Sequence, residues 1–124
     1  MSPLTLTLLS VAGGAGAAGR FIVDALIRAR WRTHFPVATA AINLTGSLLL
    51  GMLAGAAIDR DLATAYAVLG VGFLGGFTTF STHAVETVRL ARGGPRAHAA
   101  LNAFGTLLGA VALAWAGLLL GATL

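Results

Sequence analysis

Charge is what this 124-residue chain has least of: Asp, Glu, Lys and Arg make up 10% of it, where a soluble domain carries roughly 25%. Cysteine is absent, which excludes disulfides and thiol or iron–sulfur chemistry. Lysine is absent too, so all eight basic residues are arginines, scattered through short segments. The pI near 11.5 therefore comes without a basic stripe interleaved with aromatics, and nucleic acid is not an expected partner. The carboxylates are Asp24, Asp59, Asp61 and Glu86, all expected near helix ends. No pair is set for acid–base work, no histidine cluster has metal-ligand spacing, and no nucleophile has an evident base, so an enzyme is not expected.

What is present is apolar: 57% of the residues, with a mean hydropathy of +0.88. Four long hydrophobic stretches stand out, Leu4 to Leu26, Val37 to Ile58, Leu62 to Val85 and Ala99 to Leu124. Each exceeds the ~20 residues that cross a hydrocarbon core. The expected fold is an all-α membrane protein of four transmembrane helices, one domain over residues 1–124, in a lipid bilayer. Ala15-Gly16-Ala17 resembles a signal-peptide cleavage site, but Met1-Ser2-Pro3-Leu4 lacks the basic start of one, and the first helix is kept. Trp31 and Trp115 lie near stretch ends as interfacial anchors would, though Trp115 could instead pack inside the bundle.

Connections are short: residues 28–36 with Pro36 suited to the first turn of the second helix, a tight Asp59-Arg60-Asp61 turn, and residues 89–96 around Gly93-Gly94-Pro95. Gly51 and Gly55, Gly72 and Gly76, and Gly105 and Gly109 recur at helix-packing intervals. Helices packed this tightly leave no aqueous path within one subunit, so transport would need an oligomer.

Neutral donors dominate the intramembrane polar inventory. Thr39, Asn43 and Ser47 fall one turn apart on the second helix, and Asn102 and Thr106 repeat the spacing on the fourth. Such donors suit a path that strips water from a small anion without trapping it; alternatively Ser and Thr bond back to their own helix. The densest cluster is Gly72-Phe73-Leu74-Gly75-Gly76-Phe77-Thr78-Thr79-Phe80-Ser81-Thr82-His83. Two glycines before two β-branched residues weaken a helix in its middle. A break there would free carbonyl oxygens, which hard alkali cations bind, although glycine-rich kinks also serve packing.

That run closely resembles the signature of the Fluc/CrcB fluoride channel family. Gly13-Gly14-Ala15-Gly16-Ala17-Ala18-Gly19-Arg20-Phe21 and Asn43-Leu44-Thr45-Gly46-Ser47 add to the resemblance, which covers essentially the whole chain. It implies a passive fluoride-selective channel that lowers cytoplasmic fluoride, built from two antiparallel subunits with a broken third helix. It also implies a structural, non-conducted Na⁺ held by carbonyls matching Gly75 and Thr78. Fluoride would pass near Asn43 and Phe80, with donors from Ser81, Thr82 and a fourth-helix track falling on Asn102 and Thr106. Arg20 would serve entrance electrostatics. A ring edge is positive, so Phe80 can favour an anion without a strong trap.

One position departs from the pattern: the family's second motif phenylalanine is His83 here. It could present N–H to fluoride, hold the ion when protonated, or face an interface and leave one pore degenerate. The rival reading is a small proton-coupled exporter of lipophilic cations, which needs a deep carboxylate; Asp24 is its candidate. Charge by side bears on assembly. Arg28, Arg30, Arg32, Arg89, Arg92 and Arg96 share one side, whereas Arg60 stands alone opposite between Asp59 and Asp61. Positive loops stay cytoplasmic, so both termini are expected outside the plasma membrane. The second subunit is then either a homologous chain of opposite bias or, if the bias is imperfectly obeyed, a second copy.

Overall fold

The structure is a computed structural model describing residues 1–58 and 60–124; Asp59 of the expected turn lies outside them. Among the described residues, four helices are long and apolar enough to cross a membrane: α1 (Pro3–Arg30), α2 (Val37–Ala57), α3 (Ala63–Gly93) and α4 (Arg96–Ala122). Ser2 caps α1 by accepting the Thr5 N–H, and Pro3 occupies its first turn, where no N–H is needed. Pro36 is the residue before α2 rather than inside its first turn, and Pro95 precedes α4.

The helices run further than the hydrophobic stretches. Arg28 and Arg30 end α1, and Arg89 and Arg92 belong to α3, because hydropathy marks lipid depth while hydrogen bonding marks the helix. Asp24 and Glu86 consequently sit well within helices, not at their ends as expected.

Glycine decides the packing. α1 lies along the first half of α3 (63–77), and α2 lies along α4. A Cβ on Gly16 would strike the Phe73 carbonyl; one on Gly76 would strike the Gly13 carbonyl, and one on Gly72 would sit 2.7 Å from the Leu9 oxygen. In the other seam, Gly51 and Gly55 meet the backbone of Ala114 and Leu118, and Gly117 and Gly121 meet Leu48 and Met52. Backbone-to-backbone approach of this kind replaces the hydrophobic drive that lipid removes. The Gly105–Gly109 pair differs from expectation. Gly105 faces Leu101 of its own helix and Gly109 a Leu44 methyl, so neither seats a neighbouring backbone.

Trp31 and Trp115 are both exposed, and Trp115 does not enter the bundle. Apart from glycines and Pro36, the buried residues are few, and nearly half of these are polar: Thr39, His83, Glu86, Asn102 and Thr106 beside Ala38, Ala40, Ile42, Leu74, Leu90 and Ala99.

Candidate functional site: a clamped helix break beside a neutral groove

The weak point expected in the third span is a true interruption. Helix stops at Phe77; Thr78 (φ −77°, ψ 159°) and Thr79 (φ −149°, ψ 120°) are extended, and helix resumes at Phe80. Thr79 caps the new helix, its Oγ1 accepting the Thr82 N–H at 3.3 Å and donating to Thr82 Oγ1 at 3.1 Å. A break at membrane depth leaves backbone groups that water cannot satisfy. Asn43 meets two of them. Its Nδ2 donates to the Thr79 carbonyl at 2.8 Å, and its Oδ1 accepts the Thr79 N–H at 2.8 Å. An amide is the one neutral side chain that offers both functions side by side.

The clamp has a consequence for the oxygens. The Thr79 N–H, which a continuous helix would give to Gly75, goes to Asn43. The Thr82 N–H, which would go to Thr78, goes to the Thr79 hydroxyl. The carbonyls of Gly75 and Thr78 therefore lose their helical donors. Gly75 is exposed, and a Cβ there would meet only the Gly70 oxygen, at 4.0 Å. Hard, neutral oxygens freed together fit an alkali cation and not a soft metal. The next carbonyl, Gly76, accepts Arg20 Nε at 3.4 Å, which hangs the first-helix cation over the break.

Against the break lies a groove of about 200 Å³ lined by Asn43, Ser47, Thr78, Phe80, His83 and Thr106, among others. Among the described residues, no carboxylate or arginine lines it. Phe80 is 77% exposed, with its ring 6.1 Å from that of His83 and tilted by 41°. Ser81 and Thr82 turn away, into a cavity shared with Asp24, Arg28 and Glu86. Asn102 stands behind the groove at 0% exposure. Its Nδ2 donates to Thr87 Oγ1 at 2.8 Å and to the His83 carbonyl at 3.4 Å, and its Oδ1 accepts from Thr106 Oγ1 at 3.4 Å. Both residues lie in the wide-turned stretch Leu101–Thr106, where a turn exceeding four residues aligns i and i+4 more closely.

Ser47 joins the groove, as its one-turn spacing from Asn43 in the polar row of the second helix suggests. One feature escaped sequence reasoning. Arg28 bridges Asp24 at 2.7 Å and Glu86 at 2.6 Å; the first pair is legible as i,i+4, but the second joins α1 to α3 and has no sequence signal.

Fold and site define a small four-span membrane protein that presents a clamped helix break and a neutral donor groove to ions. The chain belongs to the family described as CrcB-like protein, Camphor Resistance (CrcB), whose model matches residues 7–118. It is 46% identical over 124 residues to "Fluoride-specific ion channel FluC 2" of Natronomonas pharaonis, covering 100% of both chains. Its identity to "Fluoride-specific ion channel FluC 1" of Leifsonia xyli subsp. xyli is 42% over 98% of this chain and 89% of that one. Against "Fluoride-specific ion channel FluC 1" of Rubrobacter xylanophilus it is 46%, over 91% and 90%.

Proposed function

We propose that this chain is a subunit of a passive, fluoride-selective channel, not an enzyme, that discharges fluoride from the cytoplasm across the cell membrane. The observation that carries the reading is the Asn43-clamped break beside a groove of uncharged donors. Fluoride is small and tightly hydrated, so a path must replace its water without fixed charge strong enough to trap it. Clamping uses one N–H of Asn43 Nδ2 and leaves the second for an anion, with Ser47 and the Phe80 ring edge beside it; Thr106, whose hydroxyl proton goes to Asn102 Oδ1, would have to turn from that bond to donate. Ser81 and Thr82 supply donors on the other side of the break, Asn102 orients Thr106 and His83, and Arg20 raises the local anion concentration. Relatives named as fluoride-specific channels support the same reading.

Gly75 and Thr78 would hold Na⁺ through their freed carbonyls. The ion would supply positive charge that neutralises those dipoles and ties the subunit to a second, antiparallel one. The arginine imbalance supports one orientation, termini outside, and a homologous partner of opposite bias; the homodimer is the alternative. Cysteine labelling of residues 89–96 in cells expressing this chain alone tests orientation, and equal labelling from both sides ends the fixed-orientation argument.

Proton-coupled cation export is disfavoured by Asp24 and Glu86 both being tied to Arg28, which leaves no free deep carboxylate for exchange among the described residues. The deciding experiment loads proteoliposomes with fluoride or chloride and releases the K⁺ counter-current with valinomycin. Fluoride efflux with chloride retained is the expected result; no efflux with or without the homologous partner, or equal efflux of both ions, removes the proposal.

A further inference from the structure

His83 is a buried base without a partner. It is 8% exposed, and Nδ1 is enclosed with nothing to bond to. Its backbone is fixed, because the His83 carbonyl accepts from Thr87 Oγ1 at 2.9 Å and from Asn102 Nδ2 at 3.4 Å. The backbone is thus anchored while the enclosed Nδ1 is uncommitted, an uncommon state for a buried polar group. Any partner must come from the groove side, at Nε2.

Nothing nearby would compensate a charge on this ring. Among the described residues, His83 is the one titratable residue lining the groove. α2 offers it Asn43 and Ser47, both neutral, and α4 offers Asn102 and Thr106, also neutral. On its own helix Glu86 lies one turn on, but that carboxylate is engaged by Arg28 of α1, which also holds Asp24; Arg89 follows it, exposed. His98 of α4 packs against Phe35. An imidazolium at position 83 would have an anion in the groove as its available counterion.

We propose that His83 is a fluoride-holding side chain of this groove, and that its protonation throttles permeation. The neutral ring offers an ordinary N–H, from which the ion departs. The imidazolium offers a charge-assisted hydrogen bond, roughly twice as strong, and a site that holds its ion too well stops conducting. Throughput therefore falls when acid in the groove puts a proton on the ring. This rests on the channel reading above, and the test separates the two.

Planar-bilayer currents, which neutral HF does not carry, are compared at pH 8 and pH 5.5 for the wild-type channel and His83→Phe. The wild-type current is expected to fall by half or more, half if one of two grooves carries His83 and further if both do, while the His83→Phe ratio stays flat. A flat wild type, or an equal fall in the variant, overturns the proposal. Absence of fluoride current at pH 8 from both proteins, alone and co-assembled with the homologous partner, refutes the channel reading instead. Independently of conduction, the His83 ring signals are followed by NMR at pH 5.5 as fluoride is added, with chloride as control. A saturable, fluoride-specific shift is expected; its absence overturns the proposal whatever the currents do.

Discussion

The two halves of α3 are one membrane span with opposite jobs. Residues 63–77 carry no charge and seat α1 on Gly72 and Gly76, backbone against backbone. Phe80–Gly93 buries His83, Glu86 and Leu90 and turns Ser81, Val85 and Arg89 outward. The first half is specified by what its residues lack, the second by what they donate. A continuous helix could not serve both, because its carbonyls would be consumed internally. The break lets a packing element end and a polar element begin, and Asn43 limits the cost of the interruption.

The sharpest way to break this contrast is Asn43→Asp. A carboxylate cannot donate to the Thr79 carbonyl, and it puts negative charge beside the groove. At an effective dielectric near 20, like charges 4 Å apart repel by about 4 kcal/mol, equivalent to roughly three decades of fluoride flux. Liposome efflux measures this, and normal flux from an assembled Asn43→Asp channel would take Asn43 out of the path.

Next in size, Arg28→Gln strands Glu86, whose side chain is 11% exposed. The penalty should fall between the ~1 kcal/mol of a surface pair and the ~3–5 kcal/mol of a buried one, read as loss of thermal stability in detergent. Arg28→Gln together with Glu86→Gln should recover much of it, since no buried charge then lacks a partner. Without such recovery the salt bridge is incidental.

The first half answers to a different substitution. Gly76→Ala drives a methyl into the Gly13 carbonyl, and overpacking of this kind costs about 1–3 kcal/mol. Gly105→Ala meets one flexible Leu101 side chain and should be close to neutral. Comparable melting temperatures for the two variants would mean that the α1 seam is not what sets the position of residues 63–77.

Much of this was open to sequence reasoning, and the rest was hidden for definable reasons. Four spans follow from apolar length, and the interruption from glycines meeting β-branched threonines. Helix ends were misplaced at Arg28 and Arg89 because hydropathy stops where lipid stops. Gly105 and Gly109 share the spacing of Gly51 and Gly55, yet spacing reports which face is small and not whether a backbone lies opposite. Asn43 was legible as an unusual amide in lipid, but its clamp on Thr79 joins residues from two helices. Glu86 escaped for the same reason.

The smallest predicted effect separates the clamp from the cap. Thr79 contributes to the break twice, through a backbone held by Asn43 and through a hydroxyl that caps the second half. Thr79→Ala removes the cap alone. Losing an N-cap hydroxyl costs about 1 kcal/mol, on the order of a few degrees in melting temperature, and Thr79→Ser should restore it because the oxygen is kept. Fluoride flux in Thr79→Ala should stay within a few-fold of wild type, since the Asn43 clamp and the freed Gly75 carbonyl do not depend on that hydroxyl. The Thr82 N–H, however, regains the option of the Thr78 carbonyl, and this makes the variant informative. Should flux collapse as far as in Asn43→Asp while the stability loss stays near 1 kcal/mol, the hydroxyl is keeping the Thr78 oxygen free, and the cap belongs to the ion site as well as to the helix.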